Sequence, residues 1–178
     1  RSGGEQVRNM GTEGGNIANG SPIGDTPPPL IALGATISLR NGETRRTLEL
    51  EKFFIEYGKQ DRAQGEFVEQ ISIPLPSEDQ LFSCYKISKR RDEDISALCG
   101  AFSAQIVDGR IKDIRIAFGG MAGTPKRATQ VEQALIGAPW SERSILDAKS
   151  LFEQDFKPLS DWRASANYRM AAAQNLLE

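Results

Sequence analysis

The sequence predicts an α+β fold in which antiparallel strands come first and helices follow. Two glycine-containing turns, Asn41-Gly42 and Asp108-Gly109, favour tight hairpins between alternating apolar strands. From Thr129 onward the apolar residues instead recur three and four positions apart, which is typical of amphipathic helices. Because strands and helices occupy separate stretches, we expect the helices to cover one face of a sheet.

The first elements surround the Asn41-Gly42 turn. The run Pro27-Pro28-Pro29 permits a short helical turn, since proline is tolerated at the first position of a helix. Alternating apolar residues over positions 33–39 predict a strand, and residues 46–50 predict its returning partner. We expect the aromatic pair Phe53-Phe54 that follows to pack in the core.

A further strand is predicted over residues 66–73, where a proline ends it. Its alternation places Phe67 and Ile71 on one side and Val68 on the other. Glu69 falls on the apolar side, so the register of this strand stays open.

Residues 74–79 combine proline, serine and acidic residues, which suits an exposed connection between two parts of the chain. Beyond this connection the sequence predicts a three-stranded antiparallel sheet, and the Asp108-Gly109 turn joins its last two strands. The predicted strands span residues 81–88, 96–107 and 111–118.

The first two predicted helices begin at polar residues. Thr129 and Glu132 have the spacing of a capping box, in which each side chain bonds a backbone N–H of the other residue. Ser141 is the predicted N-cap of the second helix. The apolar side of that helix comprises Ile145, Ala148, Phe152 and Phe156.

The third helix is predicted to begin at Ser160 or Asp161, where an acidic residue suits the helix dipole. Its apolar stripe has helical spacing. The stripe comprises Trp162, Ala166, Met170, Ala173 and Leu177.

The charge balance argues against a nucleic-acid partner. The 178 residues include 22 Lys and Arg and 24 Asp and Glu, giving a net charge of −2 with no basic excess to neutralise phosphates. No apolar run reaches the length of a membrane span, and the first residues lack the pattern of an export signal. We therefore expect a cytoplasmic protein without membrane association.

Cysteine and histidine content restricts the chemistry. Cys84 and Cys99 lie in apolar stretches without metal-ligand spacing, so we expect buried free thiols in a reducing compartment. The chain contains no histidine, which excludes Ser-His and Cys-His nucleophile pairs and imidazole metal sites. We expect no metal site, and the chemistry must come from a cofactor.

A glycine-rich stretch over residues 11–25 is the candidate cofactor segment, with five glycines among its fifteen residues. Free backbone N–H groups in such a loop can form a concavity that attracts a diphosphate. Thr12 and Asn16 add a hydroxyl and an amide, and Asp25 adds an acceptor for ribose or ribityl hydroxyls. The stretch fits neither a Rossmann fingerprint nor a Walker A loop. A compact turn that only closes the fold is the alternative.

The order of four segments resembles one flavoprotein family. Residues 14–25, Gly-Gly-Asn-Ile-Ala-Asn-Gly-Ser-Pro-Ile-Gly-Asp, resemble the second FAD-binding segment of the xanthine dehydrogenase and carbon monoxide dehydrogenase flavoproteins. Residues 85–95, 114–122 and 160–169 resemble later family segments in the same order. Together they cover nearly the whole chain and most resemble the small, flavin-carrying subunits of bacterial xanthine dehydrogenases.

The resemblance implies two domains in a C-terminal fragment. Residues 1–76 correspond to the C-terminal part of an FAD-binding α+β domain. Residues 77–178 correspond to the carbon monoxide dehydrogenase flavoprotein C-terminal α+β domain, here a three-stranded antiparallel sheet covered by three helices. An N-terminal iron–sulfur region and the FAD loop for the pyrophosphate are expected upstream of this chain.

The resemblance also implies which residues bind the cofactor. The implied FAD contacts are Thr12, Gly15, Asn16, Asp25, Phe67, Val68 and Lys86. Phe67 and Val68 correspond to positions beside the isoalloxazine ring, although the residues alone equally predict core packing for both.

Lys86 corresponds to a lysine at the pyrimidine edge of the flavin, where a cation stabilises negative charge on N1 and C2=O. Glu93 corresponds to an acidic position near the reactive flavin face and is the sole candidate for a catalytic role. By pattern alone, residues 86–94 predict instead a solvated loop of compensating charges.

The function implied by the resemblance is electron transfer in a xanthine dehydrogenase of purine catabolism. Electrons from hypoxanthine or xanthine would pass from a molybdenum cofactor in a large partner subunit, through iron–sulfur clusters, to FAD and then to NAD. The isolated chain, with an incomplete FAD site, is expected to be inactive and to dimerise through exposed apolar surface. Two alternatives stay open: a hydroxylase for carbon monoxide, nicotinate or another heteroaromatic, and a noncatalytic assembly module without flavin.

Overall fold

A computed structural model describes residues 3–178 and has the expected α+β fold class. Helices and strands are numbered in chain order. The helices are α1 Glu5–Met10, α2 Glu13–Asn19, α3 Pro27–Ala32, α4 Leu50–Phe53, α5 Thr129–Leu135, α6 Glu142–Ala148, α7 Phe152–Asp155 and α8 Ala166–Leu176. The strands are β1 Thr36–Asn41, β2 Thr44–Glu49, β3 Phe54–Glu56, β4 Lys59–Gln60, β5 Phe67–Ser72, β6 Gln80–Ile87, β7 Leu98–Val107, β8 Arg110–Gly119 and β9 Lys126–Arg127.

The first sheet is antiparallel, with the strand order β2-β1-β5. Its hairpin turn is confirmed but lies one residue later than predicted: Asn41 pairs with Thr44, so Gly42 and Glu43 form the turn, and Gly42 has φ +57°. Leu50 does not continue β2, because α4 begins at this residue. The rings of the buried pair Phe53 and Phe54 meet edge to face at 5.4 Å, as expected for core residues.

A β-bulge in β5 makes the predicted sides of this strand wrong. Ser38 pairs with Gln70 and Leu39 with Val68, so Glu69 is an extra residue without a partner on β1. Val68 and Ile71 therefore both pack against the buried cluster. Phe67, predicted on the same side as Ile71, is 51% exposed.

The second sheet is also antiparallel, with the order β6-β7-β8-β9. Its three long strands lie close to their predicted ranges, and β9 adds a two-residue edge that is too short for a periodicity to reveal. Asp108 and Gly109 both have positive φ, +49° and +71°, as the predicted hairpin turn between β7 and β8 requires.

Helices α5 to α8 pack against one face of this sheet around a core of aliphatic and aromatic side chains. The capping box predicted for α5 is wrong. Asp155, at the end of α7, instead accepts hydrogen bonds from the Thr129 hydroxyl and from the backbone N–H groups of Gln130 and Val131. Glu132 turns inward and accepts the N–H of Ile116.

The two later helical segments agree with the predictions in part. Ser141 caps α6, and all four residues of the predicted apolar side are buried, although a 3₁₀ turn at Lys149–Leu151 interrupts the helix. The predicted start of the last helix is wrong, because α8 begins at Ala166 with Ser165 as its cap. Trp162 lies outside the helix and is 69% exposed.

Helix α3 joins the two sheets by packing on the other face of β7 and β8. Ala101 and Ala117 of these strands are buried in the same cluster as Ile31, and their small side chains permit the close approach. Arg115 adds polar contacts by donating to the Ile31 carbonyl and to Glu51. Over residues 3–178, none of the helices combines the length and apolarity that a bilayer crossing would need.

Candidate functional site

The glycine-rich stretch is helical where an open loop was predicted. Its central part forms α2, which Thr12 caps by accepting the Gly15 N–H at 3.1 Å. Gly20 ends the helix with φ +63°. Gly15, one of the implied FAD contacts, thus has its N–H bonded to the Thr12 hydroxyl. Burial of Ile17 and the cap offset the low helix propensity of two adjacent glycines.

Helix α2 packs against β5, and the absent side chain of Gly15 leaves room for its Thr12 cap. A Cβ atom at Gly14 would lie 3.6 Å from Val68 Cγ1, and one at Gly15 would lie 2.7 Å from Thr12 Oγ1. Val68 therefore lies beside the glycine-rich helix. The two were predicted to contact the same cofactor. Phe67 precedes it at the end of β5 and presents a half-exposed ring.

Thr12 and Asn16 line an open cavity of about 330 Å³ between α1, α2 and Thr26. Asn16 is fixed there, because its Oδ1 accepts the Thr26 hydroxyl at 2.6 Å. The amide NH₂ of Asn16 is the part of this side chain that can donate to a ligand oxygen. Two of the predicted contacts thus share one hollow.

Asp25 and Lys86, 61 residues apart in the sequence, form an ion pair with 2.6 Å between Lys86 Nζ and Asp25 Oδ2. The side chain of Lys86 is only 10% exposed and that of Asp25 only 13%. Lys86 also donates to the Asp94 carbonyl at 2.7 Å, and the Ser96 hydroxyl bonds the second oxygen of Asp25. Each charge of this largely buried pair has a partner, and removing one partner would leave the other charge uncompensated.

Ser96 and the Asp94 carbonyl support this pair, although neither was predicted as part of the site. Asp94 also accepts the Arg90 N–H, and that hydrogen bond, with the Arg90 charge, lowers the pKa of the Asp94 carboxyl. The only available signal was the position of Ser96 directly after the charged loop. A hydroxyl there does not by itself indicate which residue it will contact.

Glu93 lies apart from the ion pair, against the start of α1. A Cβ atom at Gly4 would lie 2.9 Å from Glu93 Oε1, and both residues line a cavity of about 380 Å³. Glu93 has φ +52°, a left-handed conformation that is uncommon outside glycine. The structure therefore brings Glu93 next to the residues before the glycine-rich helix.

The two cysteines differ in their environments, so the expectation of two buried thiols is wrong for Cys84. Cys99 is buried in β7 with its sulfur 3.8 Å from the Asp25 carbonyl, whereas Cys84 is exposed on β6. The interaction between the two thiols raises the pKa of Cys99, to which burial also contributes, and lowers that of Cys84. Among the described residues there is no cluster of three His, Cys, Asp or Glu able to hold a metal ion.

Two family models match the chain. The model described as FAD binding domain in molybdopterin dehydrogenase matches residues 1–76. The model described as CO dehydrogenase flavoprotein C-terminal domain matches residues 83–178.

Curated relatives carry several different names. The chain is 36% identical to a nicotinate hydroxylase of Emericella nidulans, over 97% of this chain and 13% of that protein. It is 37% identical to the glyceraldehyde dehydrogenase medium chain of Sulfolobus acidocaldarius, over 92% of this chain and 58% of that one. It is 29% identical to the xanthine dehydrogenase FAD-binding subunit of Escherichia coli O157:H7, over 97% of this chain and 60% of that one.

Solved structures share the fold. The chain superposes on a reconstituted CO dehydrogenase from Oligotropha carboxidovorans with a TM-score of 0.92 and 28% identity. A carbon monoxide dehydrogenase from Hydrogenophaga pseudoflava gives the same TM-score at 30% identity. Each match covers 99% of this chain and 61% of the other, so the chain spans about three fifths of the length of these two chains.

Proposed function

The chain belongs to the flavoprotein family of the molybdopterin dehydrogenases, and from this premise we propose that it is the FAD-binding part of a xanthine dehydrogenase. In this proposal electrons pass from molybdenum and iron–sulfur centres outside this chain to FAD and then to NAD. The observation that carries the proposal is the largely buried Asp25–Lys86 pair at the end of the glycine-rich stretch. We place the domain boundary at residues 76 and 77, within the exposed stretch 72–79.

The residues at this site fit FAD by their hydrogen-bonding capacity. An ammonium group has three N–H donors, and Lys86 uses two on Asp25 and the Asp94 carbonyl, which leaves one for a flavin oxygen. Asp25 accepts two hydrogen bonds and retains lone pairs for ribityl hydroxyls. Asn16 and Thr12 supply polar groups to the neighbouring cavity.

Bound FAD would supply the ability to accept two electrons and to pass a hydride to NAD. The role of Lys86 is to hold positive charge at the pyrimidine edge, where it favours the negative charge of reduced flavin. The Asp94 carbonyl and the Asp25 carboxylate fix its ammonium group in place. Phe67 offers an exposed ring for the isoalloxazine, and Val68 supports it from the core side.

Glu93 is proposed as an acidic group near the reactive face of the flavin. Its backbone is left-handed, and its side chain lies close to Gly4. This position lets its carboxylate influence where an acceptor binds, without a covalent role.

Relatives named for xanthine support the choice of substrate. Besides the Escherichia coli subunit, a xanthine dehydrogenase/oxidase of Gallus gallus is 34% identical over 87% of this chain and 12% of that protein. Purine hydroxylation would occur at molybdenum in a large partner subunit, so the chain alone would be inactive. A hydroxylase for another substrate is the second candidate, because the nicotinate and glyceraldehyde relatives are slightly more similar to the chain.

Flavin titration tests the binding proposal. FAD fluorescence and absorbance would be followed with the chain alone and within its complex with the molybdenum-binding subunit. We expect Lys86→Gln to weaken FAD binding about tenfold and to make the flavin potential more negative, because a charge-assisted hydrogen bond is lost. Lys52→Gln is the matched control, since Lys52 is 69% exposed and pairs with Glu49 on the surface.

Three outcomes decide between the candidates. Absence of FAD from the complex would support the noncatalytic assembly module and contradict the proposal. Unchanged affinity in Lys86→Gln would remove Lys86 from the site. We expect the complex to form NADH with xanthine or hypoxanthine. Turnover of nicotinate, but of neither purine, would favour the second candidate.

A further inference from the structure

Strand β6 forms one edge of the second sheet. It pairs with β7 along all eight of its residues without a register shift, and in the part of the chain that the structure describes no strand lies on its other side. Five consecutive residues of this strand, 81–85, are exposed, and none of the five is charged. A straight, uncharged edge offers its outward N–H and C=O groups to another strand.

The other edges of the two main sheets are protected. Strand β9, at the opposite edge of the second sheet, has only two residues, and both are cationic. In the first sheet, β2 carries two adjacent arginines, and β5 has a bulge at Glu69. Short strands, charges and bulges all prevent edge-to-edge pairing. Lys86, the charged residue of β6, is turned to Asp25, so β6 lacks these protections.

An apolar groove of about 320 Å³ lies beside this edge, on the side of the sheet that the helices cover. Leu81, Ser83 and Tyr85 line it from β6, and Trp140 lines it from the segment before α6. Leu81, Phe82, Tyr85 and Trp140 are each between 41% and 52% exposed. A contiguous exposed apolar surface of this kind is typical of an interaction site.

The sequence of β6 is complementary to itself. In an antiparallel pair with a two-fold axis at Ser83, Leu81 lies opposite Tyr85 of a second copy, and Phe82 lies opposite Cys84 of that copy. Each apolar residue therefore meets another apolar side chain. Pairs of an aromatic with an aliphatic side chain directly across two strands are favourable.

The charges at the two ends of β6 have opposite signs. The turn before the strand carries exposed Glu78 and Asp79, and the loop after it carries exposed Lys89 and Arg90. Antiparallel pairing places the acidic turn of each copy beside the basic loop of the other. Complementary charges of this kind favour one register and one partner, which here is the same surface on a second copy.

We propose that the chain forms a symmetric dimer in which the β6 strands of two copies pair antiparallel about Ser83. The dimer joins two four-stranded sheets into one continuous sheet. Residues that face each other across paired strands point to the same side of a sheet, so the helices of both copies lie on one side and their apolar grooves adjoin. This inference goes beyond the proposed function and does not depend on FAD.

Sedimentation equilibrium of the purified chain over a range of concentrations tests the dimer. We expect dimers at micromolar concentration. Ser83→Lys brings two like charges together at the axis and should weaken association about tenfold. Glu78→Lys should weaken it about threefold, because the exposed charge pair is altered at both ends of the interface. Glu43→Lys is the matched control, since Glu43 lies in the β1–β2 turn with a 96% exposed side chain.

Cross-linking tests the register. In a Cys84→Ser background, Ser83→Cys should give a disulfide between two copies when oxidised glutathione is supplied, because the two introduced thiols meet at the axis. Thr44→Cys is the control, since Thr44 is exposed on the protected edge strand β2 and should give no such product. Intact mass without reductant measures both.

Three results would overturn the proposal. The first is a monomer at every concentration, and the second is equal association of Ser83→Lys and Glu43→Lys. The third is equal cross-linking of Ser83→Cys and Thr44→Cys. Circular dichroism checks that each variant folds, and the cross-linking experiment decides the question if Ser83→Lys does not fold.

The complex with the molybdenum-binding subunit separates this proposal from the proposed function. If Ser83→Lys weakens binding of that subunit while the unaltered chain alone is monomeric, the subunit occupies the β6 edge and the dimer is wrong. We expect FAD binding to be retained in Ser83→Lys. A dimeric chain whose complex lacks FAD would overturn the proposed function and leave the dimer standing.

Discussion

The two sheets of this chain are both antiparallel but are stabilised in different ways. Strands β7 and β8 are buried on both faces, with helices α5 to α8 on one and α3 on the other. Strands β2 and β5 contain no fully buried residue, and the first sheet places only one face on a core. Burial of apolar area is therefore the main stabilising term for the second sheet.

Ion pairs lie on both sides of the first sheet: Arg40, Arg45 and Glu69 on its outer face, and Arg46, directly across from buried Leu39, on its core side. Glu69 accepts from Arg40 at 2.9 Å and from Arg45 at 2.8 Å, and Arg46 bonds both Glu66 and Asp61. Exposed pairs of this kind each contribute little and are weakened by salt. The stability of two sheets with the same antiparallel geometry can therefore depend on packing in one and on salt and pH in the other.

The largest expected effect tests packing in the second sheet. Phe118 is fully buried, and its ring centroid lies 5.6 Å from Phe102, 5.5 Å from Phe152 and 5.8 Å from Phe156. We expect Phe118→Ala to lower the free energy of unfolding by about 3–5 kcal/mol in urea titrations, because it removes these contacts and leaves a cavity. Phe67→Ala on the first sheet, measured without FAD, should lower the free energy of unfolding by less than about 1 kcal/mol. Similar costs for the two would contradict the comparison.

A smaller effect tests the polar links between the helices of the second layer. Asp155 is 5% exposed and caps α5 from α7. Asp155→Ala should lower the free energy of unfolding by about 1–2 kcal/mol, since the N–H groups of α5 lose their acceptor. Asp155→Asn keeps one acceptor oxygen and should retain part of the stability. Thermal unfolding measures the loss of stability in each variant. Equal losses in both would show that the capping bond is not the cause.

The smallest effect tests the ion pairs of the first sheet through pH. Hydrogen bonds from Arg46 and from the Ala63 N–H lower the pKa of Glu66 from 4.5 to about 2. A folded pKa below the unfolded value means that this stabilisation is present above about pH 4.5 and is lost as the pH falls toward 2. Unfolding of the unaltered chain and of Glu66→Gln should therefore differ slightly at neutral pH and converge in acid.

Salt supplies the control for this prediction. At about 1 M sodium chloride the screening length falls to about 3 Å, so the two proteins should also converge at neutral pH. The same salt should leave the loss caused by Phe118→Ala unchanged. A salt-independent difference for Glu66→Gln would indicate that packing, and not charge, is altered.

Local patterns in the sequence were sufficient for the hairpins and the long strands. Both hairpins form, the first with its turn one residue later than predicted, because positive φ at Gly42 and Gly109 favours glycine. Such patterns did not predict the bulge at Glu69, although the charged residue on the apolar side of β5 indicated an irregularity there. The pairing with Arg40 and Arg45 that accommodates this charge depends on residues more than twenty positions away.

Caps were predictable only where the capping residue is local. Ser141 bonds an N–H three residues later, and its role is confirmed. The capping box at Thr129 and Glu132 has an equally good pattern, yet Asp155 and the Arg127–Glu132 pair replace it. Tertiary contacts with a buried carboxylate outweighed the local alternative, which propensity alone cannot anticipate.

The candidate site also combines a segment that was recognisable in the sequence with contacts that only tertiary packing forms. The glycine-rich segment and its family were recognisable in the sequence, because small residues and polar caps form a local pattern. Asp25 meets Lys86 and Ser96 only after β6 and β7 pair and the segment before α3 packs on them. The groove between β6 and Trp140 likewise combines residues more than fifty positions apart.

The sequence by itself determined the α+β class, the hairpin turns, most strands and the flavoprotein family. Only the tertiary structure decided which charge meets which partner, where helix α8 begins and which strand lies unprotected at a sheet edge. Turns and periodic faces follow from neighbours within about four residues, whose geometry the backbone fixes. Ion pairs and cavities depend on strand register and on layer packing, where a shift of one residue turns each side chain to the other face.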